Sequence, residues 1–314
     1  ICCQIHGVMI ITSPVNKQSI YDLDLKNSSA GSVSEFIILG FPSLQSFPLL
    51  LFFIFLTIYL FTVSGNGLIF CLINLERSLH TPMYFFVGNL SFSTGIGTIS
   101  YLGCLAQMYV FISLAAVECF LLSVMAYDRY LAVCIPLHYH MTMTKQLCIS
   151  LSVLSWLAGF VSPMTTLILA ARLPFCGPNV IHHYYCDHPP LLQLACTDTS
   201  FNVAVGSSLG AVVLLTCFSM VVVSYIKIIN VVLKMSSTTG RRKTFSTCAS
   251  HFAVVNIFFL PLIFMYVRPT ASYSSDVDSL VAMFYTVLTP MLNPMIYSFR
   301  NKDIKSAFKK AMKW

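Results

Sequence analysis

Residues 81–127 read TPMYFFVGNLSFSTGIGTISYLGCLAQMYVFISLAAVECFLLSVMAY, and Glu118 is the single charged side chain in the stretch. A helix needs only ~20 apolar residues to cross the ~30 Å hydrocarbon core of a bilayer. The stretch is therefore too long for one crossing and predicts a helical hairpin. Its turn is expected near Gly95, Gly97 and Thr98, because glycine accepts the backbone angles of a tight turn. Uncharged apolar runs at Leu49–Leu75, Gln146–Ala171, Ser200–Ile226, Thr244–Val267 and Ser279–Phe299 each supply one more span, giving seven in all.

Lysine and arginine set the orientation of such a chain. With the N-terminus outside, the inner segments hold Arg77, Arg129, Lys145, Lys227, Lys234, Arg241, Arg242, Lys243, Arg300, Lys302, Lys305, Lys309, Lys310 and Lys313. The outer segments hold only Lys17, Lys26, Arg172 and Arg268. Keeping Arg77 and Arg129 on the same side requires an even number of crossings between them, which favours the hairpin independently.

Composition agrees. Of 314 residues 57% are hydrophobic and 9% charged, whereas a soluble domain carries roughly a quarter charged residues. The expected organisation is an extracellular segment over 1–46, one membrane domain over 47–299 and a cytoplasmic tail over 300–314. In the tail Ile304, Phe308 and Met312 recur at helical spacing among lysines, the pattern of a short amphipathic helix on an anionic leaflet. The net charge of +7 is thus assigned to membrane topology and not to nucleic acid. The first residues show no cleavable signal peptide pattern, and the sequence opens on Ile1, as a fragment or a conceptual translation does.

Several of the twelve cysteines lie inside apolar runs, where a thiol behaves as a small hydrophobe. Cys176, Cys186 and Cys196 fall instead in the loop after the fourth span, with Cys104 at the outer end of the third. An oxidising outer face favours disulfides there, and four cysteines allow three pairings. His182, His183, Cys186 and His188 suggest a metal site as an alternative, disfavoured because a bonded Cys186 has no thiolate to donate. Asn27-Ser28-Ser29 is a glycosylation sequon on the outer segment; Asn89-Leu90-Ser91 also fits but lies within a span.

The strongest motif is Met125-Ala126-Tyr127-Asp128-Arg129-Tyr130, at the inner end of the third span. A carboxylate beside an arginine at a membrane boundary can hold that cation in reserve for a partner, although an isolated pair equally well anchors a helix at the headgroups. Around it stand Gly65-Asn66, Leu79-His80-Thr81-Pro82-Met83-Tyr84-Phe85-Phe86 and Ser224-Tyr225. Further on come Lys243-Thr244-Phe245-Ser246-Thr247-Cys248-Ala249-Ser250-His251 and Pro290-Met291-Leu292-Asn293-Pro294-Met295-Ile296-Tyr297. In this order, from about Ser34 to Lys310, these words closely resemble the odorant receptors, a branch of the rhodopsin-like G-protein-coupled receptors.

The resemblance implies an all-α bundle of seven membrane helices at the plasma membrane, needing no cofactor. It implies that Asp128, Arg129 and Tyr130 meet a stimulatory G protein, that Tyr225 and Tyr297 swing inward on activation, and that Asn293 and Pro294 form a hinge. It also implies the pairings Cys104 with Cys186 and Cys176 with Cys196. The same likeness places a pocket for a small, mostly apolar volatile ligand at Phe111, Ile112, Ala115, Ala116 and Cys119 of the third span. Leu209 and Val213 of the fifth and Phe259, Leu262 and Tyr266 of the sixth complete it. Each of these is individually as consistent with helix packing as with ligand contact.

Neighbouring ligand classes fit less well. A retinal pigment needs a lysine in the seventh span for its Schiff base, and Ser279–Phe299 has none. Cationic amines need a carboxylate on the outer half of the third span, where Phe111 and Ile112 stand.

The chain also departs from the pattern. Between Phe92 and Cys104 it is shorter by several helical turns, so the second span is expected to be abbreviated. Ser93 and Thr94 stand where an Asp is usual. Glu118 is left without that carboxylate neighbour, which predicts a buried, protonated acid and a lost sodium site. The sixth span reads Phe258-Phe259-Leu260-Pro261 where an aromatic followed by glycine is usual.

Two outcomes stay open: a working receptor that raises cyclic AMP, its short span accommodated by bilayer thinning, or the non-signalling product of a deletion allele or pseudogene. A transporter or channel is a more remote reading, since it needs polar groups along a path. No nucleophile and base pair points to an enzyme.

Overall fold

The computed structural model describes residues 33–39, several helical positions between 53 and 64, 97–176, 179–267, 275–289 and 291–292. The elements are β1 (Glu35–Ile38), β2 (Gly97–Ser100), α1 (Tyr101–Cys134), a 3-10 turn at Pro136–His138, and α2 (Tyr139–Thr142). They continue as α3 (Lys145–Val161), α4 (Met164–Ala171), β3 (Val180–Ile181), α5 (His188–Leu192) and α6 (Ser200–Lys234). Last come α7 (Thr238–Val267), α8 (Ser275–Met283) and a π-helical turn at Phe284–Leu288.

Local chemistry sets these bounds. Ser100 Oγ accepts the Gly103 N–H at 3.1 Å and so caps α1, satisfying a donor that the first turn leaves unpaired. Pro136 follows the last turn of α1 and lacks the N–H that continuation needs. Thr144 caps α3 in the same way, through Leu147 N–H at 3.2 Å. The run expected as one helix over Gln146–Ala171 is two segments, because Pro163 interrupts the backbone ladder between α3 and α4. α6 continues past the expected end at Ile226 to Lys234, and α7 begins at Thr238, before the expected Thr244.

Among the described residues four helical stretches are long and apolar enough to cross a bilayer: Tyr101–Cys134, Lys145–Ala171, Ser200–Lys234 and Cys248–Val267. Their outward faces carry exposed Leu154, Leu157, Val161, Val212 and Leu233, side chains that lipid solvates and water does not. The expected second span, the C-terminal helix and the words Gly65-Asn66, Leu79–Phe86 and Asn293–Tyr297 lie outside the described residues, as does Asn27.

The described residues are mostly helical, as expected, and add a small three-stranded sheet of order β2-β1-β3 that was not expected. The tight turn expected at Gly97 and Thr98 is instead β2, antiparallel to β1, with Phe36 opposite Ile99. β1 runs parallel to β3, with Ile37 opposite Val180. Ordering β1 is favourable because Phe36, Ile37 and Ile38 are all buried. Asn179 Nδ2 donates to the Glu35 carbonyl at 2.7 Å and extends the sheet.

Two cores follow. The outer one gathers Phe36, Ile38, Cys104, Met108, Phe175, Ile181 and Cys186 around the sheet. The inner one joins α1, α6, α7 and the π-helical turn through residues such as Leu121, Met125, Val221, Val255, Phe258 and Tyr285. Glu118 is half-buried and interacts with its surroundings, so the expected isolated, buried acid is not found. Ser123 Oγ lies 3.1 Å from the Cys217 carbonyl and ties α1 to α6.

α3 approaches α1 at Gly159, where a Cβ would stand 2.8 Å from the Val117 backbone nitrogen. Small residues permit such close helix contacts in membranes. Gly159→Ala should therefore destabilise the fold by about 1–3 kcal/mol. A thermal unfolding midpoint equal to that of the unsubstituted protein would show that the two helices separate without cost.

Candidate functional site

Ile112, Ala115, Ala116 and Cys119 recur at helical spacing and so share one face of α1. Together with Leu209 and Val213 of α6 and Leu262 and Tyr266 of α7, they line a cavity of about 120 Å³. Two further residues of the expected pocket lie elsewhere. Phe111 packs on Tyr185 with ring centroids 4.5 Å apart, and Phe259 turns to Phe218 and Phe258 in the inner core.

The wall also includes residues that the sequence reading did not place there: Ser162, Pro163, Thr166, His188, Pro189, Gly206, Ser207, Gly210, Leu214 and Met265. Ser162 and Pro163 reach it because the helix breaks between α3 and α4, a position that the proline could have signalled. Nothing local to His188 and Pro189 signals their part.

Those two residues are delivered by the outer loop. Cys186 is bonded to Cys104 of α1, with Cα atoms 5.4 Å apart, and its N–H donates to Gln107 Oε1 at 2.9 Å. Cys176 is bonded to Cys196, with Cα atoms 5.9 Å apart. The loop is thereby pinned at both ends of its return, so Asp187 and His188 are carried inward at the top of the bundle. Of the histidines beside them, His182 is exposed and His183 is buried and stacked on Tyr184 at 4.6 Å.

Asp187 is buried, and its carboxylate is the hub of a polar network. The Tyr266 hydroxyl donates to both of its oxygens at 3.0 Å, the Tyr185 hydroxyl lies 3.2 Å from Oδ2, and the His188 N–H donates to Oδ1 at 2.8 Å. Tyr185 and Tyr285 hydroxyls meet at 3.0 Å, as do those of Tyr184 and Thr286. The π-helical turn allows Tyr285 and Thr286, though consecutive, both to engage the loop.

Asp187 and the two buried histidines of the outer loop have displaced protonation equilibria. Burial, reinforced by nearby Asp278 and only partly offset by the donors, pushes Asp187 up to about 6. Burial also holds His183 down to about 3 and His188 down to about 4. The signs of their effects on stability differ. A carboxyl raised from 3.8 to about 6 takes up protons in the folded state first, so its penalty is relieved as pH falls through that window. Histidines lowered from 6.5 protonate first in the unfolded state, which costs stability as pH falls below 6.5.

At the inner end, Asp128 is buried and its Oδ1 accepts from the Tyr139 hydroxyl of α2 at 2.8 Å. Burial and that bond to Asp128 raise the Tyr139 phenol. The Lys227 ammonium sits 5.2 Å from the centre of the Tyr130 ring, a cation–π contact between α6 and α1. Tyr225 of α6 bonds to His251 Nδ1 of α7 at 2.6 Å, and Arg129 is close enough to act on His251 electrostatically. Sequence reading singled out Asp128, Arg129, Tyr130 and Tyr225. It quoted His251 only inside a motif and missed Tyr139.

The opposing signs in the loop are best separated by a difference measurement. Lowering the pH from 7.5 to 5 should shift the difference in unfolding midpoint between the unsubstituted protein and Asp187→Asn in favour of the former. A difference that does not change with pH would show that the Asp187 carboxyl is not the titrating group.

Residues 55–313 match the family model described as olfactory receptor. The chain is 50% identical over 299 residues to olfactory receptor 6N1 of Homo sapiens, covering 90% of this chain and 96% of that protein. It is 45% identical over 305 residues to olfactory receptor 5AP2 of Mus musculus, covering 92% and 96%. It is 44% identical over 298 residues to olfactory receptor-like protein OLF1 of Canis lupus familiaris, covering 90% and 96%. In the first comparison 299 positions draw on 90% of 314 residues, about 283, so about 16 positions of the relative face no residue here. A match over most of the chain, with these identities, establishes that it belongs to the olfactory receptor family.

Proposed function

We propose that the chain is an odorant receptor that crosses the plasma membrane seven times, with residues 1–46 outside, 47–299 in the membrane domain and 300–314 in the cytosol. It binds a small, mostly apolar volatile ligand in the cavity between α1, α6 and α7. Binding activates a stimulatory heterotrimeric G protein and raises cyclic AMP. The observation that carries this reading is an apolar cavity lined in large part by the same three helices whose inner ends gather Arg129, Tyr130, Tyr225 and His251.

The coupling is a matter of packing. A ligand that fits the cavity better in one arrangement of α1, α6 and α7 favours that arrangement by its difference in affinity. The Tyr225–His251 bond joins α6 to α7 beside Arg129, so a change in their spacing alters what the guanidinium meets. Asn293, Pro294 and Tyr297 are assigned to the seventh span's hinge, and Asn27 to glycosylation, by family likeness. The protein acts as a receptor and not as an enzyme.

The shortfall of about 16 positions against the relative favours a second reading, a deletion product that does not signal. At 1.5 Å rise, that many residues correspond to ~24 Å of helix, a large part of one crossing. The location between Phe92 and Cys104, where the family pattern is cut short, supports an abbreviated second span.

In cells carrying an N-terminally tagged chain, surface staining without permeabilisation and an odorant-dependent rise in cyclic AMP are expected. Arg129→Ala should abolish the rise while leaving the staining unchanged. Retention inside the cell would decide for the deletion product.

A further inference from the structure

We propose that the groove between α1 and α6 on the inner half of the molecule binds a singly charged anionic phospholipid, its phosphate held by Lys227 and an acyl chain lying along α6 toward Leu215. The proposal goes beyond the odorant reading and rests on its orientation, which puts Lys227 at the inner leaflet.

The groove has a volume of about 630 Å³ and shares no lining residue with the cavity under the outer loop. Leu215, Ser219, Val223 and Lys227 recur every fourth residue, so they form one stripe of α6, and all four are exposed. Tyr127 and Tyr130 of α1, their rings 6.2 Å apart, line it from the other helix. At 1.5 Å per residue the stripe from Leu215 to Lys227 is ~18 Å long. Half of the hydrocarbon core, the share of one leaflet, is ~15 Å. The groove therefore runs from headgroup level to about the middle of the bilayer, the depth of a single lipid molecule.

Charge selects among lipids. The Lys227 ammonium stands 5.2 Å from the centre of the Tyr130 ring, and no acidic side chain is among the described residues lining the groove. The cation is thus met there by an aromatic face and not by a carboxylate. An ammonium at the inner surface attracts anionic headgroups, and a phosphate oxygen gives it a charge-assisted hydrogen bond. Tyr127 and Tyr130 add phenol hydroxyls, which donate to the same kind of oxygen.

The other lipids of a leaflet fit less well. A sterol carries a hydroxyl and no charge, and a phosphatidylcholine brings a second cation with its phosphate. A polyphosphoinositide calls for a cluster of cations, whereas Lys227 is the one lysine or arginine among the described residues lining the groove. A phosphatidylserine or phosphatidylglycerol matches one ammonium with one net negative charge.

The test uses purified full-length receptor in neutral detergent and a phosphatidylserine with a photoreactive diazirine in its acyl chain. Irradiation should label α6 between Leu215 and Val223, together with the α1 segment holding Tyr127 and Tyr130. Unlabelled phosphatidylserine should compete, whereas phosphatidylcholine, cholesterol and the free headgroup glycerophosphoserine should not. Lys227→Gln should raise the concentration needed for half-labelling about fivefold, and Lys227→Arg should restore it. Lys234→Gln, on the same helix but outside the groove, should leave it unchanged. Val223→Trp, which fills the groove without altering charge, should abolish the labelling.

Labelling spread evenly over the lipid-facing helices, equal competition by phosphatidylcholine or cholesterol, or equal losses in Lys227→Gln and Lys234→Gln would each overturn the proposal. Competition by glycerophosphoserine would overturn it too, by showing a site for a soluble anion. The labelling pattern and competition on the unsubstituted receptor decide the matter even where a variant fails to fold. The readout needs neither odorant nor G protein, so specific labelling of a receptor that raises no cyclic AMP would refute signalling and leave the lipid site in place.

Discussion

The bond between Cys104 and Cys186 is the tether on which the outer half of the molecule depends. Without it the segment from Phe175 to Cys196, though closed on itself by the Cys176–Cys196 bond, would have no covalent tie to α1, and docking it there would cost conformational entropy. With it, Cys186 lies against the first turn of α1, and the following two residues have nowhere to go but over the cavity. The sheet builds on the same anchor. β3 precedes Cys186 by a few residues, β2 runs directly into α1, and β1 lies between them. The N-terminal strand, the loop and the cavity roof are thus one unit, buried around this cross-link, with the Cys176–Cys196 bond closing the loop's base.

α1 connects this unit to the opposite face. It carries Cys104 near its outer end and Asp128 and Arg129 near its inner end, with the cavity residues Ile112 to Cys119 between. One continuous helix of 34 residues thus carries all three sets of residues, and α6 and α7 pack along it. The polar bonds between elements are few and concentrated at the ends: the Asp187 network outside, Tyr225 with His251 and Asp128 with Tyr139 inside. Between them lies mainly apolar contact, with Ser123 as a polar exception. Apolar packing can slide between alternative arrangements, whereas the end contacts favour particular ones.

What could be read from the sequence divides along physical lines. The long helices were legible because a segment solvated by lipid is apolar all round. Eight of the ten expected cavity residues line it, because helical spacing puts them on common faces at a common depth. Phe111 and Phe259 were drawn elsewhere by aromatic partners that only the tertiary fold supplies. The sheet was not legible. Its strands have four, four and two residues, and Phe36-Ile37-Ile38 is apolar without alternation, so no period marks it as a strand. His188 was visible only as a loop histidine beside other histidines, since its place at the cavity follows from a disulfide and from the absent side chain of Gly206. Tyr139 and His251 acquire their partners from other elements, and no local pattern announces that.

Five residues of the last described helical segment, Phe284–Leu288, are wound more widely than the rest. In an ordinary helix neighbours point about 100° apart, and the wider turn brings Tyr285 and Thr286 closer to a common direction. The slack winding lets Tyr285 meet Tyr185 while Thr286 meets Tyr184, so the loop grips this helix at two adjacent rungs. A helix held at one rung can pivot about it. Held at two, it cannot turn on its own axis without dragging the loop, so torsion applied at its far end would be registered there.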